Sequence, residues 1–331
     1  MGESAARRTV RELGEFALID RINAHRVQAP GVLLGPGDDA ALIAAPDGRF
    51  VVTTDMLVEG RHFRRDWSGP RDIGRKAIAQ NAADVVAMGA APAAFVVALG
   101  CPADTPVDVI DALADGMWAE AGRAGASIAG GDLVRSPELV ISVTAFGDPR
   151  GREPVLRSGA RPGDRVAVAG RLGWSAAGLA ALRQDRTGDE FAEILAAHRV
   201  PQPPYDAVLG EGWRGCRSLT DVSDGLLADL GHIAAASGVA IDLSAGALRD
   251  PELERFARAL DDDAAQWILT GGEDHAFAGT WPGDADLPPG WRAIGVVTAG
   301  EGVTVDGTRR PGAGGWESFG GVDSASGPRS R

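Results

Sequence analysis

The sequence predicts an α+β protein of two domains, and three observations carry that expectation. At 331 residues the chain exceeds the roughly 100 to 200 that one core usually organises. Its first half mixes turn-bounded strands with helices instead of alternating strand and helix strictly. Near residue 150 the turn-rich stretch "GDPRGREPVLRSGARPGD" reads as a boundary, dividing 1–150 from 151–331.

The elements follow in order. Residues 13–24 carry an apolar face through Phe16, Ile19 and Ile22, which predicts a first helix. Strands at 40–45 and 49–54 flank "PDG", a hairpin turn signal. "RDIGRKAIAQNAADVVAMG" predicts a long helix, 93–99 a strand, and 106–124 a helix with the stripe Ile110, Leu113, Ala114 and Met117. On its other face Asp108, Asp111 and Asp115 read as solvated. Strands at 126–129 and 138–147 flank "AGGD". The second half offers a strand at 165–169, a Gly-rich turn into a helix ("GRLGWSAAGLAAL"), and a strand ending in "LTDVSDGLLADLGHIAAASG". "ILTGGEDHAF" and further strands come next, and 320–331 reads as a frayed tail. "IAGGD" and "LTGGED", with "PGD" at 36–38 and 162–164, raise a duplicated architecture as a weak possibility.

Composition narrows the function. A formal net charge of −13 repels a phosphate backbone, so nucleic acid is not an expected partner. Residues 85–103 carry no charge, but Gly89 and Pro92 break the run, so it reads as helix end, turn and core strand rather than a membrane span. Charged residues follow the first Arg pair where a signal peptide needs an apolar core. The two cysteines, Cys101 and Cys216, match no metal or redox spacing. Together these point to a cytoplasmic protein.

The informative residues are acids in Gly-rich or strand-end settings: Asp38 and Asp39 in "GPGDDA", Asp55 in "VVTTDML", Asp84, Asp132, Asp221 and Asp224 in "TDVSDG", and Glu273 in "GGED". Each follows an apolar stretch, where an unpaired carboxylate costs several kcal/mol, roughly, unless a cation is present. Oxygen ligands spread singly over several loops suit Mg²⁺ shared with a substrate's phosphates, with Thr53 and Thr54 adding oxygens. Dispersed histidines disfavour zinc. Helix capping by Asp221, Ser223 and Asp224 is an equally good reading of any one of them. A dinucleotide fingerprint through Gly35, Gly37 and Ala40 fails, because Asp38 and Asp39 would face the pyrophosphate. The chain's single lysine, Lys76, lies outside any Walker A loop. "GWSAAG" misses the nucleophile-elbow spacing by one, leaving a Gly-rich turn able to approach a phosphate or a neighbouring strand.

Through "GEFALIDRI", "GPGDDAAL", "TTDMLVEGRHF", "NAADVVAMGA", "GGD", "RSGARPGD", "SAAGL", "DVSDGLLADLGHI" and "GGED", in order and spacing, the chain resembles the thiamine-monophosphate kinases of the aminoimidazole ribonucleotide synthetase (PurM-like) superfamily. The resemblance implies a two-domain PurM-like fold: an N-terminal mixed sheet with helices that pairs in a homodimer barrel, and a C-terminal α/β-sandwich domain. It implies transfer of the γ-phosphoryl of ATP to thiamine monophosphate, assisted by several Mg²⁺ ions. By that resemblance Asp39, Thr53, Thr54, Asp55, Asp84, Asp132, Asp221 and Asp224 hold metal; beside Asp39, Asp38 is expected to support the turn or a water bound to the metal. Gly131, Asp132, Arg157 and Ser223 touch ATP, and His62, Glu273 and Trp316 contact the thiamine substrate. No side chain acts as a covalent catalyst. His275 stands where many relatives carry Tyr. The alternative is another ATP-using PurM-like enzyme or a non-catalytic nucleotide- and metal-binding relative.

Overall fold

The computed structural model describes residues 8–36, 40–210 and 214–310. Asp38, Asp39, Trp316 and the 320–331 segment lie outside the described residues, and so do the expectations placed on them.

The first half contains α1 (Val10–Leu13), α2 (Glu15–Asn23), β1 (Val32–Leu34), β2 (Leu42–Ile43), β3 (Val51–Val58), α3 (Pro70–Ala87), β4 (Ala91–Cys101), α4 (Val107–Arg123), β5 (Ser127–Arg135) and β6 (Val140–Asp148). The helix expected at 13–24 is interrupted at Gly14, and Thr9 starts α1 through a capping box with Glu12. The turn at 45–48 forms, but no hairpin does: β2 pairs with β1, while β3 pairs antiparallel with β6 along its whole length. Local turn chemistry was read correctly, yet a distant partner with eight paired residues outcompeted the two-residue neighbour. Asp111 and Asp115 are not simply solvated either; they form ion pairs with Arg21 and Arg26 and so hold α2 against α4.

The larger N-terminal sheet has the order β3-β6-β4-β5, with only β4 and β5 parallel. Side chains alternate along β3, so Leu57, Thr53 and Asp55 face α3, whereas Val52 and Met56 lie on an open face, each more than half exposed. α3 starts at Gly69 with Pro at its first turn, and its Ala-rich body is buried nearly all round. It lies directly on α4: a Cβ on Gly74 would stand 2.0 Å from the Leu113 carbonyl oxygen, so only glycine allows this approach.

The second half contains β7 (Arg165–Ala169), α5 (Trp174–Arg183), α6 (Ala192–Arg199), α7 (Tyr205–Leu209), β8 (Ser218–Val222), α8 (Leu226–Ser237), β9 (Ala240–Leu243), α9 (Ala245–Leu248), α10 (Pro251–Leu260), α11 (Ala264–Thr270), β10 (Ala276–Trp281), β11 (Trp291–Thr298) and β12 (Gly302–Val305). Its six strands run β12-β9-β11-β7-β10-β8, antiparallel except for the parallel β9–β12 pair. On one side Val168, Trp174, Leu230, Phe256 and Trp267 form a core with the helices. On the other, Leu219, Phe277 and Trp281 join Ile78, Phe95 and Ile141 of the first half in one apolar cluster. Each such side chain contributes about 1.5–3 kcal/mol on burial, so α3 is clamped between the two sheets.

The suggested duplication does not hold at the Gly-Gly-acid motifs. "AGGD" lies inside β5, while "GGED" is a loop following the helix α11.

Candidate functional site

α3 carries the centre of the site. Its Gln80 donates from Nε2 to Asp55 Oδ2 at 3.1 Å, and Asn81 Oδ1 accepts the Asp55 main-chain N–H at 3.0 Å. One turn on, Asp84 accepts from the Thr53 hydroxyl at 2.9 Å. The end of β8 brings Asp221, which is buried and bonded to His275 Nδ1 at 3.0 Å. Burial, then the charges of Asp221 and Asp55, push the Asp84 carboxyl up to about 7. Burial and Asp221 also raise Asp224, against the attraction of His232, His275 and Arg157. Four acids from β3, α3, β8 and its following loop thus feel one another. Among the described residues, none of the four is ion-paired to an arginine or lysine.

Two loops shape this ground. The main-chain N–H groups of Ser223, Asp224 and Gly225 all donate to Asp229 Oδ2 at 3.1 Å. Asp229, one turn inside α8, therefore ties down the loop that enters the helix, whereas Asp221, Ser223 and Asp224 provide no side-chain cap. Sequence reading missed Asp229; its only signal is an acid in the first turn of an apolar helix. Burial and the nearby Asp221 raise its carboxyl to about 7. The second loop, 271–275, places Glu273 and His275 at φ of 65° and 51°, the left-handed region that such residues rarely adopt. It is held by Glu273 N–H to the Ser223 carbonyl at 2.7 Å and His275 N–H to the Val222 carbonyl at 2.9 Å. Its Asp274 carboxylate accepts from the main chain of Gly173 and Ser175, filling the start of α5. The Gly-rich turn offered for a phosphate is thus occupied by the protein's own carboxylate.

Beside the acids lies a charge-compensated end. Lys76 Nζ, almost wholly buried, bonds Glu273 Oε1 at 2.8 Å and the His62 carbonyl at 3.0 Å. His198 Nδ1 stands 3.9 Å from Glu273 Oε2 and 3.2 Å from the Ser175 hydroxyl. Burial lowers His62, and burial with the Lys76 charge lowers His198 to about 4, so both rings are neutral at neutral pH. Burial alone would raise Glu273; the charge and hydrogen bond of Lys76 overcome it and keep the carboxylate ionised. His62 and Glu273, assigned together by the resemblance, do lie at one place. Lys76 and His198 were not singled out for it.

Other assigned residues are not gathered here. The Thr54 hydroxyl donates to the Val143 carbonyl and turns to the opposite face from Thr53, leaving only its main-chain oxygen near Asp55. Asp132 pairs in register with Ala98, Ser142 and, across β6, Met56, on the uncovered face and at the opposite edge of the sheet from Asp55. Three strand spacings separate those edges, about 14 Å. Gly131 has a structural reason of its own: a Cβ there would stand 1.9 Å from the Val97 carbonyl oxygen in β4. Arg157 is exposed in the 149–164 segment, near enough to draw the Asp224 carboxyl down.

Carboxylates gathered so closely that Asp84 and Asp224 are raised by burial and by their neighbours call for a cation, and their all-oxygen chemistry fits Mg²⁺. Among the described residues no three acidic, histidine or cysteine side chains stand close enough to enclose one ion. That suits Mg²⁺, which keeps several waters and takes one or two carboxylates at a time. The family model of AIR synthase related protein, N-terminal domain, matches residues 37–148. The chain is 56% identical to the thiamine-monophosphate kinase of Mycobacterium tuberculosis over 320 residues, covering 96% of this chain and 95% of that one. Among solved structures, the thiamine-monophosphate kinase of Stenotrophomonas maltophilia aligns at a TM-score of 0.78 and 37% identity, covering 89% of this chain and 97% of that one. AaThiL, complexed with AMPPCP and TMP, aligns at 0.76 and 30%, covering 95% and 100%.

Proposed function

The chain belongs to the thiamine-monophosphate kinase family, and on that footing we propose which of its residues serve the reaction it catalyses, phosphorylation of thiamine monophosphate by ATP to thiamine diphosphate and ADP. The observation that carries the assignment is the convergence of the buried Asp221 with the half-buried Asp55 and Asp84 between the two sheets, where burial and the charges of the first two raise the carboxyl of the third.

Asp55, Asp84, Asp221 and Asp224 hold Mg²⁺, with Asp39 and oxygens of Thr53 and Thr54 completing the set. Bound there, Mg²⁺ neutralises phosphate charge, the main requirement of a transfer that needs no covalent nucleophile. Gln80 and Asn81 orient Asp55, and Asp229 fixes the loop that carries Ser223 and Asp224. Ser223 and Arg157 orient ATP. His62 and Glu273 flank the thiamine end, where an ionised carboxylate beside neutral imidazoles suits a cationic heteroaromatic, and Trp316 completes it.

The protein acts as a cytoplasmic homodimer, residues 1–150 supplying the dimer contact and part of the metal set and 151–331 the other wall with Asp221 and Asp224. Support comes from the open sheet face, where Val52, Met56 and Val134 are more than half exposed beside exposed Leu33, Leu34 and Leu42. A second copy covering that face would take these apolar side chains out of water.

The test is ADP release from ATP and Mg²⁺ with thiamine monophosphate or thiamine as acceptor. Turnover with thiamine monophosphate alone, abolished by EDTA, is the expected result. Turnover that survives EDTA would remove the metal assignment.

A further inference from the structure

We infer that Lys76 is a positioning residue for the acceptor end: its buried ammonium ties the Glu273 loop to the His62 turn and so sets affinity for thiamine monophosphate rather than for ATP. The inference rests on the placing of that substrate between His62 and Glu273 proposed above.

Lys76 is the single lysine among 33 basic residues, so every other cation of the chain is arginine. Its slim stem runs through the most buried stretch of α3, and its side chain is only 3% exposed. A planar guanidinium is a poor fit to such a slot, whereas a compact ammonium reaches acceptors from two directions. Those acceptors come from opposite halves of the chain. The His62 carbonyl belongs to the turn after β3, and Glu273 to the loop after α11. Each segment has local bonds of its own, and Lys76 ties the two together. The His62 turn has its own bond from Val58 N–H to His62 Nδ1 at 3.1 Å, but Glu273 sits at positive φ, where the backbone prefers to relax. Lys76 engages Oε1 and leaves Oε2, part of a carboxylate one-third exposed, to meet a ligand. Removing the ammonium would release this carboxylate from its direction and leave it without its counter-charge.

Among the described residues Lys76 bonds Glu273 and the His62 carbonyl and forms no ion pair with Asp55, Asp84, Asp221 or Asp224, so the metal-and-ATP side is largely spared. That division separates positioning from general support of the fold.

The experiment measures kcat and the KM values for thiamine monophosphate and ATP in the full chain, with thermal melting, for wild type, Lys76→Met and Lys76→Gln. Lys76→Met should raise KM for thiamine monophosphate on the order of 30-fold, the loss of a charge-assisted bond, while KM for ATP and kcat stay within about threefold. Lys76→Gln keeps a donor and should fall between the two; it also carries the test if the Met variant does not fold. An unchanged KM for thiamine monophosphate in either folded variant overturns the inference. So does a parallel change of kcat and both KM values that tracks melting temperature, since that is what a merely structural ion pair gives. Failure of wild type itself to use thiamine monophosphate overturns the substrate placing, and this inference with it, and is distinguished by appearing before any substitution.

Discussion

The two ends of the cleft solve the problem of buried charge in opposite ways. At the Glu273 end the carboxylate has its own counter-ion, Lys76, and two imidazoles held neutral beside it. At the Asp84 end, carboxylates from β3, α3 and β8 are packed within reach of one another's fields, and the described residues supply no arginine or lysine pair. A compensated end is ready for a ligand as folded. The acid end is compensated only in part, by His275 bonded to Asp221, and keeps a repulsion that a proton on Asp84 or an added cation relieves, so metal binding is coupled to the stability of the site.

The largest effect that separates the ends is expected from Asp55→Asn. Activity should fall by about 10² to 10³-fold, as when one electrostatic partner of the transition state is removed. In EDTA the same variant should melt no lower than wild type, because a repelling charge has gone. A lower melting temperature in EDTA would mean that Asp55 is a structural acid like Asp229.

The ends should also answer pH with opposite signs in the metal-free protein. Asp84 is raised from 3.8 to about 7, so its contribution is present at low pH and lost as pH rises through about 4 to 7. His198 is lowered from 6.5 to about 4, so its contribution is full above about 6.5 and lost as pH falls toward 4. At 1.36 kcal/mol per unit the histidine is worth about 3 kcal/mol. Denaturant unfolding from pH 4 to 8 should show Asp84→Asn losing the first slope and His198→Gln the second, with Mg²⁺ suppressing only the first. Slopes of one sign in both variants would erase the contrast.

The smallest effect tests how finely the acid end is tuned. Thr53→Val removes the hydroxyl bond that lowers Asp84, about 1 kcal/mol. Mg²⁺ titrations followed by melting should show the variant needing more metal, with KM for thiamine monophosphate unmoved.

Much of this was legible beforehand. Helices over 71–89 and 106–124 and the strand at 93–99 appear as α3, α4 and β4, because long apolar runs with clear periodicity bury themselves in any context. The acids of β3, α3 and β8 were singled out by their apolar neighbours. Less legible were features that need a partner far along the chain. β3 ignored the adjacent strand for β6, "AGGD" became mid-strand because Gly131 permits contact with Val97, and Asp274 took the helix start offered to a phosphate. Lys76 was read only as a lysine lacking a Walker loop, since nothing near it in sequence announces Glu273, almost 200 residues on.

The sequence by itself determined composition, charge sign, the main helices and the inventory of carboxylates, all of which depend on local pattern. Only the tertiary structure decided which acids share a field, that Asp229 holds the loop carrying Asp224 and that neither Asp221 nor Asp224 caps a helix, that Asp132 lies on another face from Asp55, and that one lysine joins the two loops of the acceptor end. The physical reason is that electrostatic coupling and close packing depend on distance in space, and strand pairing and loop closure set that distance between residues that sequence order keeps apart.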